Sequence, residues 1–341
     1  MNKLLFPSIL LASFGLFNLL GINNIFFQRQ LIFLNIGVII FFISKKIGRY
    51  FFLNNAGFFY WLLVFVLLIT FIIGIEIKGS KRWIDFYFFQ FQPSEIFKIF
   101  FILYFANIFS QKNLNYRILF WKSLLYFIVP TFIIFKQPDL GNAMVLVFLF
   151  FILLFFSNIP KKYILKILIF LVFLIPILWF LLAPYQKSRI IAFLNPHTDR
   201  YGIAYNMHQS IITIGSGKFF GRGLGLGTQS KLYFLPENKT DFAFASLVEQ
   251  FGFMGGALII ISFAFIFYFL IKEILNKTNF SDTEERKIFL LELGILSYIF
   301  FQFFVNVGMN LGVLPVAGVA LPSISYGGTA VITYLFSLSL L

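Results

Sequence analysis

Long apolar segments alternate with shorter polar ones along almost the whole chain. A run of about 20 apolar residues can cross a hydrocarbon core about 30 Å thick as a helix. The pattern therefore predicts an all-α polytopic membrane protein, a single domain over residues 1–341 with about ten transmembrane helices. The predicted spans are residues 4–20, 30–44, 56–75, 94–109, 118–135, 141–157, 163–183, 242–271, 288–309 and 323–341.

The charges between the spans predict how the chain is oriented. The short connections at 45–55, 110–117 and 158–162 carry basic residues and no acid. Because connections rich in Lys and Arg face the cytoplasm, we expect these three on the inner side, together with both termini. The long polar segment at about 184–240, between the seventh and eighth spans, is then expected outside as one large loop.

Composition agrees with a membrane protein and excludes several kinds of site. Hydrophobic residues make up 60% of the chain and charged residues 12%, which leaves too little polar surface for a soluble domain. The absence of cysteine excludes disulfides and thiolate metal sites. Only two histidines are present, which argues against an imidazole-based zinc site. The net charge is +14, and many of the bases fall outside, which favours an anionic ligand there.

Four predicted spans share a polar entrance that contains proline. The sequences are Gln92-Pro-Ser-Glu95, Gln137-Pro-Asp-Leu-Gly141, Leu235-Pro-Glu237 and Leu321-Pro-Ser323. Proline fits the first turn of a helix, and an acid there is stabilised by the helix dipole, so capping alone would explain each entrance. All four spans are even-numbered, however, and enter the membrane from the outer face. We therefore expect their charged residues to line one shared polar cavity in the outer leaflet.

Two predicted outer loops add further polar groups. Lys81, Arg82, Trp83 and Asp85 follow one another closely in the first, although a Trp flanked by bases is also common at a membrane border. The segment 221–227 contains four glycines and allows close approach of the backbone to another group. It is not a P-loop, because no Gly-Lys-Ser/Thr follows.

Several long motifs, in order, resemble the SEDS family of cell-shape, cell-division and sporulation proteins (RodA, FtsW and SpoVE). The matching segments are KGSKRWIDFYFFQFQPSEIFK (78–98), KQPDLGNA (136–143), IGSGKFFGRGLGLGTQSKLYFLPENKTDFAFASLVEQFG (214–252) and GMNLGVLPVAGVALPSISYGG (308–328). The resemblance covers essentially the whole chain. It implies a peptidoglycan glycosyltransferase that polymerises lipid II at the outer face of the bacterial cytoplasmic membrane. GTQS followed by FLPE, within 227–237, is closer to the rod-shape branch, which implies a role in cell elongation.

The same resemblance places an essential acid in a Pro-Glu-x-x-Thr-Asp motif, which makes Asp241 the predicted catalytic residue. The family usually has His where this chain has Lys239. An inverting glycosyl transfer to a hydroxyl needs one base, and the leaving diphosphate is already ionised. Positive charge must stabilise that diphosphate, and Lys98 is favoured for this because it shares a helix face with Glu95. The other predicted substrate-binding residues are Arg82, Trp83, Glu95, Asp139, Lys218, Arg222, Gln229, Ser230, Glu237 and Thr240.

Some alternatives stay open at the level of sequence. Glu95 and Asp139 either orient Lys98 or hold a divalent cation, Mg²⁺ or Mn²⁺. A lipid II flippase, a division-specific polymerase and an inactive scaffold are the competing functions. The expected partners are lipid II, undecaprenyl-diphosphate-linked glycan, membrane lipids and a class B penicillin-binding protein acting as transpeptidase. No nucleic-acid partner is expected.

Overall fold

Helices dominate the computed structural model, which describes residues 2–77, 80–87, 89–111, 115–182, 184–195, 203–276 and 282–341. The first helices and the strands are α1 (Asn2–Ile22), α2 (Asn24–Ile47), α3 (Arg49–Asn54), α4 (Ala56–Ile73), β1 (Ile75–Ile77), β2 (Ser80–Asp85) and β3 (Gln90–Phe91). The helices that follow are α5 (Pro93–Ser110), α6 (Tyr116–Lys136), α7 (Leu140–Phe155), α8 (Lys161–Leu181), α9 (Pro184–Leu194), α10 (Ile203–Ser216), α11 (Thr228–Lys231), α12 (Ala243–Leu275), α13 (Thr283–Asn310) and α14 (Gly328–Ser339).

The predicted class, a helical polytopic membrane protein, is confirmed. Every predicted span overlaps a helix: α1, α2, α4, α5, α6, α7, α8, α12, α13 and α14. Seven of the described helices, α1, α2, α4, α5, α6, α12 and α13, are long and apolar enough to cross a membrane, and α7 and α14 are shorter apolar helices. The number of spans and the cytoplasmic position of both termini stay predictions.

The chain forms two compact units, each built from several separate segments. The first contains Met1–Ile32, Lys166–Ile266 and Gln302–Gly327; the second contains Phe33–Leu165, Phe267–Phe301 and Gly328–Leu341. That all of them belong to one domain stays a prediction.

The second unit is organised around α5, which packs against α4, α6, α7 and α14. Most of its side chains are buried, because apolar residues cover all sides of the helix and not one stripe. Phe97, Phe101, Phe105 and Phe109 form an aromatic ladder on it, and Phe105 and Phe109 continue to Phe150 of α7. The polar entrance of α5 is thereby fixed beside that of α7.

The first unit has a hydrophobic core that joins α10, α12 and α13. Its members are Met207, Leu235, Phe242, Ala245, Met309 and Val316, with Phe193 and Ile214 packed against them. Phe242 is 1% exposed and directly follows the predicted catalytic residue, Asp241. The core therefore anchors the chain at the point where Asp241 precedes α12.

Two parts of the predicted outer segments are more ordered than the sequence indicated. β1, β2 and β3 form a small antiparallel sheet in that order, with Glu76 opposite Lys81 and Asp85 opposite Gln90. The predicted large loop at 184–240 contains the helices α9, α10 and α11, while its residues 196–202 lie outside the described part of the chain. Strand alternation is weak in so short a segment, and glycine-rich neighbours mask the helical pattern of α10.

The predicted role of proline at the four entrances is correct only for Pro93, which lies in the first turn of α5. Pro138 precedes the N-cap of α7, Asp139, and Pro236 lies in turns well before α12. Pro322 and Ser323 belong to an irregular segment, because α14 begins only at Gly328. Side-chain hydrogen bonds replace helical ones in that segment: Ser325 Oγ accepts from the Leu321 N–H at 2.9 Å, and Asn306 Nδ2 donates to the Val319 carbonyl at 2.7 Å.

Candidate active site

Hydrogen bonds to three consecutive carbonyl groups, those of residues 239, 240 and 241, hold the backbone that leads to Asp241. The Lys239 carbonyl accepts from the Tyr326 N–H at 2.7 Å, and the Thr240 carbonyl accepts from Ser325 Oγ at 2.7 Å. The Asp241 carbonyl accepts from the Nδ2 atoms of both Asn306 and Asn310, each at 3.0 Å. Buried carbonyls without partners are costly in a membrane protein, so these bonds fix one backbone conformation.

Asn310 extends this hold into α12. Its Oδ1 accepts from the Ala245 N–H at 3.0 Å, which satisfies one of the free donors in the first turn of α12. Asn306 and Asn310 lie one helical turn apart on α13, so both amides reach the same segment. Neither residue was predicted from the sequence, although two Asn four positions apart in an apolar helix are a usable signal for a buried polar contact.

Polar side chains next to Asp241 pair locally. Thr240 Oγ1 donates to Glu237 Oε2 at 2.8 Å, so two predicted substrate-binding residues contact each other. The Lys239 ammonium lies 3.6 Å from the centre of the Phe26 ring and 5.9 Å from that of Tyr326. Aromatic ring faces attract a cation at these distances. The residue that replaces the expected histidine therefore serves as an anchor for the backbone here.

Arg189 of α9 is a neighbour of Asp241 that was not predicted from the sequence. A Cβ atom built on Gly318 would lie 3.6 Å from Asp241 Oδ2 and 3.7 Å from Arg189 Nη1. The carboxylate and the guanidinium thus face the same small space beside Gly318, whose φ of +67° suits glycine. Arg189 lies one turn before Phe193, which packs on the core of this unit, and the sequence carries no signal for that contact.

The carboxylate of Glu249 in α12 is buried and hydrogen-bonded to α11. It is 0% exposed and accepts hydrogen bonds from the Gln229 N–H at 2.8 Å, the Ser230 N–H at 2.9 Å and Ser230 Oγ at 2.6 Å. Gln229 and Ser230 lie in the first turn of α11, where free N–H groups attract an anion. The Ser230 hydroxyl, predicted to bind substrate, is therefore occupied by Glu249.

The helix α12 is broken at Gly252, and the glycine-rich segment 217–227, which precedes α11, supplies hydrogen-bond partners on both sides of the break. Gly252 has φ +70° and ψ −169°, so the helical hydrogen-bond pattern cannot continue through it. The Glu249 carbonyl accepts instead from the Arg222 N–H at 2.9 Å, and the Gln250 carbonyl from the Gly223 N–H at 3.0 Å. On the other side of the break, the N–H groups of residues 253 and 254 donate to the carbonyls of residues 218 and 219, at 2.9 and 3.2 Å.

Lys218 and Arg222, both predicted to bind substrate, line a surface cavity of about 360 Å³ together with Ser216, Gly221 and Leu226. Arg222 Nε donates to the Ser216 carbonyl at 3.1 Å, which fixes its guanidinium against the cavity wall. Neither Asp241 nor Arg189 is among the lining residues.

In the second unit the entrances of α5 and α7 share one buried network. Asp139 Oδ2 accepts from Gln92 Nε2 at 2.8 Å, Ser94 Oγ at 2.9 Å and Asn142 Nδ2 at 2.8 Å. Arg82 Nη1 of β2 lies 3.4 Å from Asp139 Oδ1. Every described partner is a donor, which is the environment of an ionised carboxylate.

Lys98 closes the other end of this network. Its ammonium donates to Glu95 Oε2 and to Asn142 Oδ1, each at 2.8 Å, and it is 0% exposed. The predicted pairing of Glu95 with Lys98 is therefore present, and Asn142 connects it to Asp139. The guanidinium of Arg82 lies 4.2 Å from the centre of the Trp83 ring, so the two predicted residues of β2 stack on each other.

The hydrogen-bond donors that surround the carboxylates of Glu95 and Asp139 do not suit a divalent cation at these two residues. The Lys98 ammonium occupies Glu95 Oε2, and three donors converge on Asp139 Oδ2. Across the described residues, no three His, Cys, Asp or Glu side chains come close enough together to hold a metal ion. The arrangement favours the alternative in which the two acids orient Lys98 and its neighbours.

The predicted residues thus divide between the two units. Arg82, Trp83, Glu95, Lys98 and Asp139 belong to the second unit. The first unit contains Lys218, Arg222, Gln229, Ser230, Glu237, Thr240 and Asp241. That the two groups line one shared cavity stays a prediction.

Comparison with known proteins identifies the family. The family model described as a cell cycle protein, which represents FtsW, RodA and SpoVE, matches residues 4–341. The chain belongs to this family.

Curated relatives in the family include proteins named FtsW and proteins named MrdB. The probable peptidoglycan glycosyltransferase FtsW of Buchnera aphidicola subsp. Schizaphis graminum is 34% identical over 93% of this chain and 89% of its own. The peptidoglycan glycosyltransferase MrdB of Escherichia coli K12 is also 34% identical, over 89% of this chain and 81% of its own. Equal identity to both leaves the predicted choice between elongation and division untested.

A solved structure supports the fold over the whole chain. It is described as the structural coordination of polymerization and crosslinking by a peptidoglycan synthase complex. The similarity has a TM-score of 0.83 at 26% identity and covers 100% of this chain and 96% of the other. Family membership and fold together make this a multi-pass protein of the bacterial cytoplasmic membrane.

Proposed function

We propose that this chain is a peptidoglycan glycosyltransferase that polymerises lipid II, with Asp241 as the general base. The observation that carries the assignment is the immobilised backbone of residues 239–241, whose three carbonyls are all bonded to α13 or to the segment before α14. A base transfers a proton efficiently only when its position relative to the reacting hydroxyl is fixed. Relatives named peptidoglycan glycosyltransferase support the reaction class.

The proposed step is one inverting displacement. The 4-hydroxyl of the N-acetylglucosamine of an incoming lipid II attacks the anomeric carbon of the N-acetylmuramic acid that ends the growing glycan. A carbon–oxygen bond forms, and the bond from that carbon to the diphosphate breaks with its electron pair. The hydroxyl proton passes to the Asp241 carboxylate, and undecaprenyl diphosphate leaves. The α linkage of the donor becomes β in the product, and an ionised leaving group needs no general acid.

We assign the charge that stabilises the departing diphosphate to Arg189. Its guanidinium faces the same space beside Gly318 as the Asp241 carboxylate. A planar guanidinium fits two phosphate oxygens at once, which a point charge does not. Lys98, which the sequence favoured for this role, is fully buried and already bonded to Glu95 and Asn142. We propose that Asp139, which Asn142 connects to Lys98, instead holds Arg82, which is partly exposed, toward an anionic substrate.

Polymerisation itself is tested with the purified full chain and fluorescent lipid II. Glycan ladders on a gel are expected from the chain mixed with a class B penicillin-binding protein, and none from the transpeptidase alone. A flippase would instead carry labelled lipid II across a proteoliposome membrane and leave it unpolymerised. That outcome would overturn the proposal.

Replacing Arg189 with Gln is expected to lower kcat roughly 100-fold, the size of effect seen when one donor to a developing anion is lost. Because Arg189 is proposed to bind the diphosphate, inhibition by added undecaprenyl diphosphate should weaken as well. Arg189→Lys should restore part of kcat, since the charge remains.

The matched control for this prediction is Lys187→Gln, which removes the same charge two positions away on α9. Residues two apart on a helix face different directions, so the control should polymerise like the wild type. Should Arg189→Gln lower kcat while inhibition by undecaprenyl diphosphate stays unchanged, Arg189 would position Asp241 and not bind the diphosphate.

The transpeptidase partner is proposed to be a class B penicillin-binding protein. The similar solved structure is described as a complex that coordinates polymerization with crosslinking. The glycan made here carries peptides that need cross-linking, so a second protein must supply that activity.

A further inference from the structure

The break in α12 lies where its lipid-facing part begins. α12 contains 33 residues, about 50 Å of helix, while a hydrocarbon core is about 30 Å thick. Residues 242–250 are all buried in protein, whereas Phe253, Met254 and Leu258 are exposed. Residues 253–275 alone span about 34 Å, which matches the membrane. Gly252 is therefore expected at the outer boundary of the hydrocarbon core.

The glycine-rich segment lies at the same depth. Its residues 218, 219, 222 and 223 are hydrogen-bonded to residues 249, 250, 253 and 254 of α12. Irregular backbone at a membrane boundary is tolerated where its polar groups are paired, and these bonds pair them. The segment 217–227 is thereby placed at the level of the lipid headgroups.

The surface of this segment has an apolar side that continues onto α12. Phe219 is 52% exposed, Phe220 79% and Leu226 67%. The Phe219 ring stacks on Phe253 with 5.8 Å between ring centres, so the two elements present one aromatic surface. Aromatic rings are enriched at the boundary between membrane and water.

The cavity beside this aromatic surface is basic. Lys218 and Arg222 line it with Ser216 and Gly221, and the lining residue Leu226 is also part of the apolar surface. Glu249, which accepts from Ser216 Oγ at 3.5 Å, is 0% exposed and bonded to α11, so the exposed charge at the cavity is positive. Lys218 and Arg222 can bind a lipid phosphate at the depth of the headgroups, and the apolar surface next to them can contact the acyl chains of the same lipid.

We propose that this cavity binds an anionic phospholipid of the outer leaflet, with the phosphate on Lys218 and Arg222 and an acyl chain on Phe219, Phe220 and Phe253. The site is separate from the residues around Asp241 and does not depend on the transferase reaction. Membrane phospholipid is chosen over the polyprenyl substrate because Asp241 and Arg189 do not line this cavity.

Depth is tested with a spin label, for which the absence of cysteine in the chain is an advantage. A nitroxide on Phe220→Cys, in nanodiscs, should collide more with dissolved oxygen than with a water-soluble nickel complex. The reverse ratio would place residue 220 in water and overturn the proposal.

Binding is tested by native mass spectrometry of the full chain exposed to equal amounts of phosphatidylglycerol and phosphatidylcholine. The wild type should retain phosphatidylglycerol about 10-fold more, and Lys218→Gln with Arg222→Gln should abolish that preference. Lys231→Gln removes a charge at the end of α11, outside the cavity lining, and should keep that preference. Equal retention of both lipids by the wild type would refute an anionic site. Displacement of phosphatidylglycerol by equimolar undecaprenyl diphosphate would assign the cavity to the polyprenyl substrate and also overturn the proposal.

Discussion

Replacing Asp241 with Asn is expected to reduce lipid II polymerisation by about 10²- to 10⁴-fold, the usual contribution of a general base. The amide has nearly the same shape as the carboxylate but cannot accept the proton of the attacking hydroxyl. The backbone around it should not change, because the bonds from Asn306, Asn310 and Ser325 go to main-chain carbonyls. The measurement is the initial rate of glycan formation from fluorescent lipid II by the purified variant.

The matched control is Asp282→Asn, the same change in the residue before α13, where Asp282 Oδ1 accepts from the Glu284 N–H at 3.3 Å. Asn also caps a helix well, so this variant should polymerise like the wild type. Thermal unfolding of Asp241→Asn should match the wild type, which separates lost chemistry from lost folding. Polymerisation by Asp241→Asn at more than a tenth of the wild-type rate would exclude Asp241 as the base.

The apolar pattern was sufficient to locate the spans because each helix must fill the hydrocarbon core with about 20 residues. It was also sufficient to place Asp241 close to the start of a span, because the segment that follows is predominantly apolar. Arg189 could not be found in this way. It reaches Asp241 through the packing of Phe193 on the core of the first unit, a contact that no periodicity encodes.

The prediction for the glycines at 221–227 was correct about the close backbone approach but did not identify the group that approaches. The sequence indicated that 221–227 would allow close approach of the backbone to another group. The structure contains that close approach, and the partner of the N–H groups of Arg222 and Gly223 is the broken end of α12. Gly252 gave no signal of its own, because glycines are common in membrane spans and α12 also contains Gly255 and Gly256.

The proline entrances show why helix boundaries are harder to predict than helices. Side chains from α13 and from the segment itself bond the Val319 carbonyl and the Leu321 N–H, which replaces helical hydrogen bonds just before Pro322. The same applies before α12, where the Tyr326 N–H and Ser325 Oγ donate hydrogen bonds to the carbonyls of residues 239 and 240. Such long-range partners compete with helix formation, and local sequence does not reveal them.

Replacing Gly252 with Ala is expected to lower the apparent unfolding temperature in detergent by roughly 5–15 °C. A Cβ atom there would lie 2.2 Å from the Gly221 nitrogen and 2.4 Å from the Phe219 carbonyl oxygen, both of them backbone atoms that cannot rotate away. The φ of +70° adds strain for any residue with a side chain. Relief requires the segment 217–227 to move away from α12, which breaks the four hydrogen bonds that repair the helix. Polymerisation should fall with stability.

Gly215→Ala provides the matched control for that prediction. It adds the same methyl group near the end of α10, where a Cβ atom would meet nothing within 4 Å. Alanine is the better helix former, so this variant should unfold at or above the wild-type temperature. The comparison isolates the effect of close backbone approach from that of replacing a glycine. Equal unfolding temperatures for Gly252→Ala and Gly215→Ala would mean that the glycine-rich segment does not pack on the break in α12. The depth assigned to Lys218 and Arg222 would then lose its structural basis.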